Sequence, residues 1–167
     1  MKPMFRHRRL RFFANLFVGL SLLYAAPIMG EPQSSQARTP NWESELKSYS
    51  NYIDDFHAAE QGTDGQEFEA TDYLQTASSV AFERMLALDF TFRTYRSISC
   101  TSDRTQAKTI LQEQLYDTAF KFKNEANRIA EMLKFIKVPA TAQLGLKLKD
   151  DMRATKDKLD RISASLD

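Results

Sequence analysis

From residue 41 onward, apolar residues recur at alternating intervals of four and three positions in four separate stretches. This spacing places one apolar side chain per turn on a single face of an α-helix, whereas a strand would need a period of two. We therefore predict four amphipathic helices. Their repeating positions are Trp42, Leu46, Tyr49, Ile53 and Phe56; Leu74, Ala77, Ala81, Met85, Leu88, Phe92 and Tyr95; Phe122, Ala126, Ile129, Leu133 and Ile136; and Leu148, Met152, Thr155, Leu159, Ile162 and Leu166.

Residues that end or begin helices separate these four stretches. A Thr-Pro-Asn sequence at 39–41 precedes the first stretch, and two glycines lie in the loop at 60–67. Asp103 is predicted to cap the third helix, with Gln106 three residues later, and Pro139 is predicted to end it. The connections are therefore short.

Short connections force neighbouring helices to run antiparallel. The predicted fold is all-α, an up-down-up-down four-helix bundle over residues 41–167 with left-handed, coiled-coil-like heptad packing. The predicted helices have about 20, 31, 35 and 26 residues, which makes the two longest about 45–50 Å long.

Residues 1–30 have the order of a secretory signal peptide. A basic start with five Lys or Arg residues and no acid leads into an apolar run from Phe12 to Met29. Cleavage after Gly30 or after Ala37 fits the small residues there, and residues 31–40 form a Pro/Ser/Gln-rich linker. We predict export, to a periplasm or out of the cell.

Two alternatives for the N-terminal segment stay open. The apolar run is long enough to remain as an uncleaved membrane anchor with the bundle outside the cytoplasm. The Arg-rich, acid-free start also fits a mitochondrial transit peptide, although the uninterrupted apolar run favours export. A membrane is an expected partner only if the segment stays uncleaved.

Composition limits the classes of function. The chain has 23 basic and 22 acidic residues, but five of the basic ones lie in the first thirty positions, so the remainder is mildly acidic. Nucleic-acid binding needs a basic surface and is therefore not expected. The chain also contains no Gly-rich phosphate loop and no nucleophile motif, which makes an enzyme an unexpected class.

His57 is the one histidine after the N-terminal segment, so it is the candidate base or ligand. Asp54 and Glu60 share its helix face at spacings of three, but a di-iron bundle needs two Glu-x-x-His pairs. A haem held by His57 and a methionine fits a bundle in principle, whereas a histidine satisfied by its helical neighbours is commoner. We predict a non-enzymatic protein with no metal or cofactor.

The charges at one end of the predicted bundle are segregated. Residues 54–72 hold seven acids and no Lys or Arg, and the stretch 134–149 brings four lysines near them. We interpret this as internal charge complementarity between two corners. The alternative is an acidic site for a partner or calcium, although the loop lacks the ligand spacing of an EF-hand.

The second helix carries more apolar surface than one core face needs. Phe82, Leu86 and Phe90 form a second stripe about 80–160° from Leu74, at 100° per residue. Tyr116 and Phe120 repeat this on a smaller scale in the third helix. Either the second stripe packs on a neighbouring helix, or it forms an exposed interface or ligand groove.

Cys100 is the only cysteine, so the chain cannot form an internal disulfide. The nearby Arg93 and Arg96 and the start of the third helix are expected to lower its thiol pKa, with Asp103 opposing them. An exposed thiol in an oxidising compartment pairs with another chain or a small thiol. We therefore predict an interchain disulfide at Cys100.

The leading functional hypothesis is an exported helical bundle that works through contact with a protein partner or a second copy of itself. The alternative is a carrier or sensor of a hydrophobic small molecule or lipid, bound beside the second helix.

Overall fold

The computed structural model describes residues 40–166. The predicted signal peptide, both cleavage points and the linker as far as residue 39 lie outside the described residues. Within the described range the chain is all-α, with four long helices and no strand, so this part of the fold prediction is confirmed. The elements are α1 (Glu43–Glu60), α2 (Gly65–Ser97), α3 (Thr101–Met132), a 3-10 helix (Leu133–Phe135) and α4 (Pro139–Ser165).

The helix lengths are 18, 33, 32 and 27 residues, and the largest departure from prediction is at the end of α3. The α-helix stops at Met132 and the 3-10 helix follows it, so the predicted end of α3 at Pro139 is wrong. Pro139 is instead the first residue of α4, where proline is tolerated, and it disfavours helical geometry in Val138, which has a ψ of 116°. The predicted N-cap at Asp103 is wrong: Cys100 is the capping position, with an extended ψ of 129°. Asp103 instead lies in the first turn, where its negative charge interacts favourably with the helix dipole.

The four predicted stripes form one apolar core. Helices α1 and α3 each pack against both α2 and α4. The rings of Tyr49 on α1 and Phe122 on α3 meet edge to face across the core, with centroids 5.8 Å apart. Only a few predicted core positions, such as Ile53 and Ile162, are half-buried. The largest fully buried side chains are Trp42, Tyr49, Phe56, Phe122, Leu74, Met85, Leu88, Leu111, Leu115, Ile129, Leu148 and Met152.

Two tyrosines fasten α1 to α4 through hydrogen bonds. The hydroxyl groups of Tyr49 and Thr155 lie 2.9 Å apart and are buried, and the Tyr52 hydroxyl donates to Asp151 Oδ2 at 2.6 Å. Burial raises the pKa of Tyr49 above its ordinary value, and burial together with the hydrogen bond to Asp151 raises that of Tyr52. Both phenols therefore stay protonated and keep these bonds.

Tyr49→Phe is expected to lower the free energy of unfolding by about 1–3 kcal/mol, because it leaves the buried Thr155 hydroxyl without a partner. Chemical denaturation measures the change. Adding Thr155→Val to the same chain should recover most of the loss, because both polar groups are then gone. Tyr116→Phe, at an exposed tyrosine, is the matched control, and a loss as large there would contradict the explanation.

A glycine in the second turn of α4 permits a close approach between elements. Gly145 is buried, and a Cβ built on it would lie 2.5 Å from Leu133 Cδ2 and 3.2 Å from Leu74 Cδ1. The absent side chain therefore lets the 3-10 helix and α2 pack directly against the α4 backbone.

Glu67, in the first turn of α2, joins the two corners at one end of the molecule. Its Oε1 accepts hydrogen bonds from the backbone N–H groups of Lys137 at 2.7 Å and Val138 at 3.0 Å. These N–H groups lie just before α4, where donors have no partner within the helix. The bonds to Val138 and Lys137 hold the pKa of Glu67 below its ordinary range.

A lowered folded-state pKa means that Glu67 contributes stability above the ordinary glutamate pKa of about 4.3, and that this contribution is lost as pH falls through the folded-state value. Glu67→Gln keeps an acceptor oxygen but removes the charge. We expect this variant to be less stable at neutral pH and to lose less additional stability on acidification. Urea unfolding at a series of pH values measures both effects. Glu69→Gln on the same helix should leave the acid dependence unchanged, and an equal effect there would contradict the assignment.

Candidate interaction surface

The second apolar stripe of α2 divides into a half-buried and an exposed part. Phe82 is half-buried, whereas Leu86 is 45% exposed and Phe90 is 72% exposed. The main core face of the same helix, including Met85 and Leu88, is fully buried. At 100° per residue, Leu86 and Phe90 lie progressively farther around the helix from that face, so no neighbouring helix covers them.

Phe82 lies beside a cleft between α1 and α2 with a volume of about 810 Å³. Trp42, just before α1, and Leu46 of α1 provide the other large apolar side chains of its lining. The rim is polar and includes Asp89 and Arg93, which form an ion pair with Nε and Oδ2 2.8 Å apart. The cleft therefore joins an apolar wall to a charged edge.

Helix α3 also presents aromatic side chains to solvent. Tyr116 is 72% exposed and Phe120 is 53% exposed. Phe120 and Val80 of α2 line a groove of about 340 Å³ between the two helices. Nearby, Asp117 forms ion pairs with both Arg84 of α2 and Lys121 of α3.

The sequence indicated several of these apolar positions but left open whether they are buried or exposed. The spacing of Leu86 and Phe90, and of Tyr116 and Phe120, set them apart from the core stripes. Val80 and Ile110 were missed, because each is a single apolar residue outside any stripe and carries no periodic signal. The exposed large apolar side chains of the described residues are Phe68, Val80, Leu86, Phe90, Ile110, Tyr116, Phe120, Phe135, Val138 and Leu146.

Cys100 is exposed at the capping position of α3. Its sulfur lies 3.3 Å from the Ser102 hydroxyl. That hydrogen bond, followed by the backbone N–H groups of Asp103 and Ser102, lowers the pKa of the thiol. The lowering was expected, but its cause is the start of the helix and a hydroxyl group rather than the predicted arginines.

His57 is exposed, with its Nδ1 3.8 Å from a carboxylate oxygen of Glu60 one turn later. Within residues 40–166, no group of three or more His, Cys, Asp or Glu side chains is placed to hold a metal ion. The interaction of His57 is therefore with a neighbour on its own helix.

The charge segregation between the two corners takes a different form from the predicted one. In the described part of the chain, no ion pair joins the acids of 54–72 to the lysines of 134–149. Lys134 instead pairs with Glu131, and Lys147 lies over the Tyr52 ring, 5.8 Å from its centroid. The link between the corners is the bond from Glu67 to backbone N–H groups.

None of the helices between residues 40 and 166 combines the length and apolar character needed to cross a membrane. Comparisons of the chain with models of protein families, with curated proteins and with solved structures found no match.

Proposed function

We propose that this chain is an exported, non-enzymatic helical-bundle protein that acts through contact with a protein partner or with a second copy of itself. The observation that carries the proposal is the exposure of Leu86 and Phe90 on α2, beside a fully formed core. Exposed aromatic and aliphatic side chains gain about 25 cal/mol for each Å² of apolar area that a partner covers. Aromatic residues are also the side chains that most often dominate the energy of protein interfaces.

The proposed arrangement is the up-down-up-down bundle with left-handed packing. Contacts between α2 and α3 support antiparallel neighbours: Tyr73 hydrogen-bonds to Glu125, and Arg84, farther along α2, pairs with Asp117, earlier on α3. Helices α1 and α4 have the same reversed order, because Tyr49 meets Thr155 whereas Tyr52 meets Asp151.

The proposal places the bundle in a periplasm or outside the cell, after cleavage at Gly30 or Ala37. The basic start and apolar run of residues 1–30 support export, with an uncleaved anchor as the alternative. The intact mass of the protein isolated from its source distinguishes these cases. A chain that begins at residue 31 or 38 agrees with cleavage, and a full-length chain in the membrane fraction agrees with the anchor.

A second candidate function is the carriage of a hydrophobic small molecule or lipid. The α1–α2 cleft favours it, because Trp42, Leu46 and Phe82 line one open volume of about 810 Å³. Native mass spectrometry of the protein purified from its own source separates the two candidates. A stoichiometric co-purifying lipid would favour carriage over protein contact.

Cys100 is proposed to link two chains by a disulfide. Its exposure and its lowered pKa support attack of the thiolate on an oxidising disulfide of a small thiol, which forms a mixed disulfide with Cys100 and releases one thiol. The thiolate of a second Cys100 then attacks this mixed disulfide, which forms the interchain bond and releases the other thiol. Non-reducing electrophoresis of freshly exported protein should contain a dimer band that a reducing agent removes and that Cys100→Ser lacks. Monomer alone would remove this part of the proposal.

Site-specific photo-cross-linking in the source cells tests the function itself. A photoreactive residue at position 90 is expected to give a cross-link to one defined protein or to a second copy. The matched control is the same residue at position 153, an exposed charged site on α4. Equal cross-linking at both positions, or none at position 90, would contradict the proposed surface.

A further inference from the structure

A polar cleft lies between α1 and α4. It is separate from the exposed groove between α2 and α3. Its volume is about 330 Å³, at the lower end of the range of small-molecule sites, about 300–1,000 Å³. Its lining includes the buried pair Tyr49 and Thr155. The charged and hydroxyl side chains around it are Ser44, Glu45, Ser48, Asp151, Lys158 and Arg161.

Some of these polar side chains already form hydrogen bonds within the protein. Lys158 Nζ donates to Glu45 Oε1 at 2.5 Å and to the backbone oxygen of Asn41 at 2.8 Å. The same ammonium lies over the Trp42 ring, 4.7 Å from its centroid. Asp151 accepts the hydrogen bond of Tyr52 through Oδ2.

Other polar groups of the cleft have no partner among the described residues. The Glu45 side chain is only 18% exposed, and its Oε2 is buried and receives no hydrogen bond. Between residues 40 and 166 no carboxylate forms an ion pair with Arg161, and the hydroxyls of Ser44 and Ser48 make no hydrogen bond. The cleft thus combines an acceptor that lacks a donor with a guanidinium that lacks an anion.

The two unpartnered groups favour one kind of ligand, because Glu45 Oε2 lacks a donor and Arg161 lacks an anion. Arg161 follows Lys158, the partner of Glu45, by three residues, so both side chains lie on the same face of α4 and line the cleft. Arg161 is exposed, whereas Glu45 Oε2 is buried. The terminal torsion of a glutamate is broad, so a rotation of the Glu45 carboxylate can bring Oε2 to the cleft.

We propose that the α1–α4 cleft binds a small zwitterion of the amino-acid class. Arg161 receives the carboxylate in a charge-assisted, bidentate contact, and Glu45 accepts hydrogen bonds from the ammonium. The hydroxyls of Ser44 and Ser48 supply neutral contacts. A zwitterion leaves the charge of the cleft unchanged, because the acids Glu45 and Asp151 already balance the bases Lys158 and Arg161.

Trp42 is the only tryptophan, and its ring lies under the ammonium that holds Glu45, so its fluorescence reports on this cleft. Titration of the full chain with a panel of free L-amino acids is expected to give a saturable change for at least one, with a Kd below about 1 mM. Arg161→Ala should weaken that binding about 10- to 100-fold. The N-acetylated form, which lacks the ammonium, should bind at least about 10-fold more weakly.

The matched control is Arg153→Ala, at an exposed arginine of α4 outside the cleft lining. Circular dichroism checks that each variant folds, and Glu45→Gln is a second variant that keeps an acceptor but loses the charge. The proposal is overturned if no amino acid gives saturable binding by fluorescence or calorimetry up to about 10 mM. It is equally overturned if the acetylated form binds as well, or if Arg153→Ala weakens binding as much as Arg161→Ala.

Discussion

Phe122→Ala is expected to lower the free energy of unfolding by about 3–5 kcal/mol, the range for removal of a buried phenylalanine ring. The side chain is 2% exposed and meets the Tyr49 ring in the middle of the core. Its loss removes buried apolar area and leaves a cavity between α1 and α3 that the surrounding rings cannot fill without moving. Urea or guanidinium unfolding of the full chain measures the change.

Phe120→Ala is the matched control, because it makes the same change two residues earlier on the same helix. Phe120 is exposed, so the variant should stay within about 0.5 kcal/mol of the parent chain. Similar losses at the two positions would mean that α3 does not face the core as described.

Leu86→Ala with Phe90→Ala is expected to weaken binding of the protein that cross-links to position 90 by about 30- to 1,000-fold, which corresponds to about 2–4 kcal/mol. Truncation removes the apolar area that a partner would cover, while alanine keeps a high helix propensity. Both side chains lie outside the core, so the stability of the folded chain should change by only about 0.5 kcal/mol. Calorimetric titration and chemical unfolding provide the two measurements.

Glu83→Ala tests whether that loss is specific to the apolar stripe. Glu83 is exposed on the same helix, and its truncation should leave binding within about three-fold, since charged groups at an interface rim contribute little. Binding that survives in the double variant, with its stability unchanged, would exclude this stripe from the interface.

The core was predictable because its signal is local. The 4-3 spacing alone predicts one buried face on each helix. On α2 it includes Met85 and Leu88, on α4 it includes Met152 and Leu159, and all four are buried. The break between the last two helices was equally local, because proline restricts the residue before it, although Pro139 begins α4 and does not end α3. The 3-10 helix before α4 was not predicted, because the 4-3 repeat continues through Leu133 and Ile136, although the α-helix ends at Met132.

The accessibility of the second stripe could not be predicted. Spacing places Phe82, Leu86 and Phe90 on one side of α2, but their exposure depends on how far the neighbouring helix reaches around it. Trp42 and Leu46 line the same cleft as Phe82, whereas Leu86 and Phe90 lie in the open. That difference arises from the packing of two helices and has no counterpart in a local pattern.

Contacts between residues far apart in the chain could not be predicted from the sequence either. Glu67 lies 70 residues from Lys137, and Glu45 lies 113 residues from Lys158. Each pairing depends on the axial register of helices that the 4-3 pattern leaves undetermined, because a shift by one heptad keeps every apolar face buried. The hydrogen bonds that Glu67 accepts and the polar cleft were therefore not identified from composition or spacing.

We propose that a protein covers the exposed stripe of α2 where this chain works. Oxidative footprinting with hydroxyl radicals tests it directly, by comparing the labelling of Phe90 in intact source cells with that in the purified chain. Phe122 is the internal control, since it is buried within the chain and should stay unlabelled in both samples. We expect strong labelling of Phe90 in the purified monomer and protection in the cells. Equal labelling of Phe90 in both samples would contradict it.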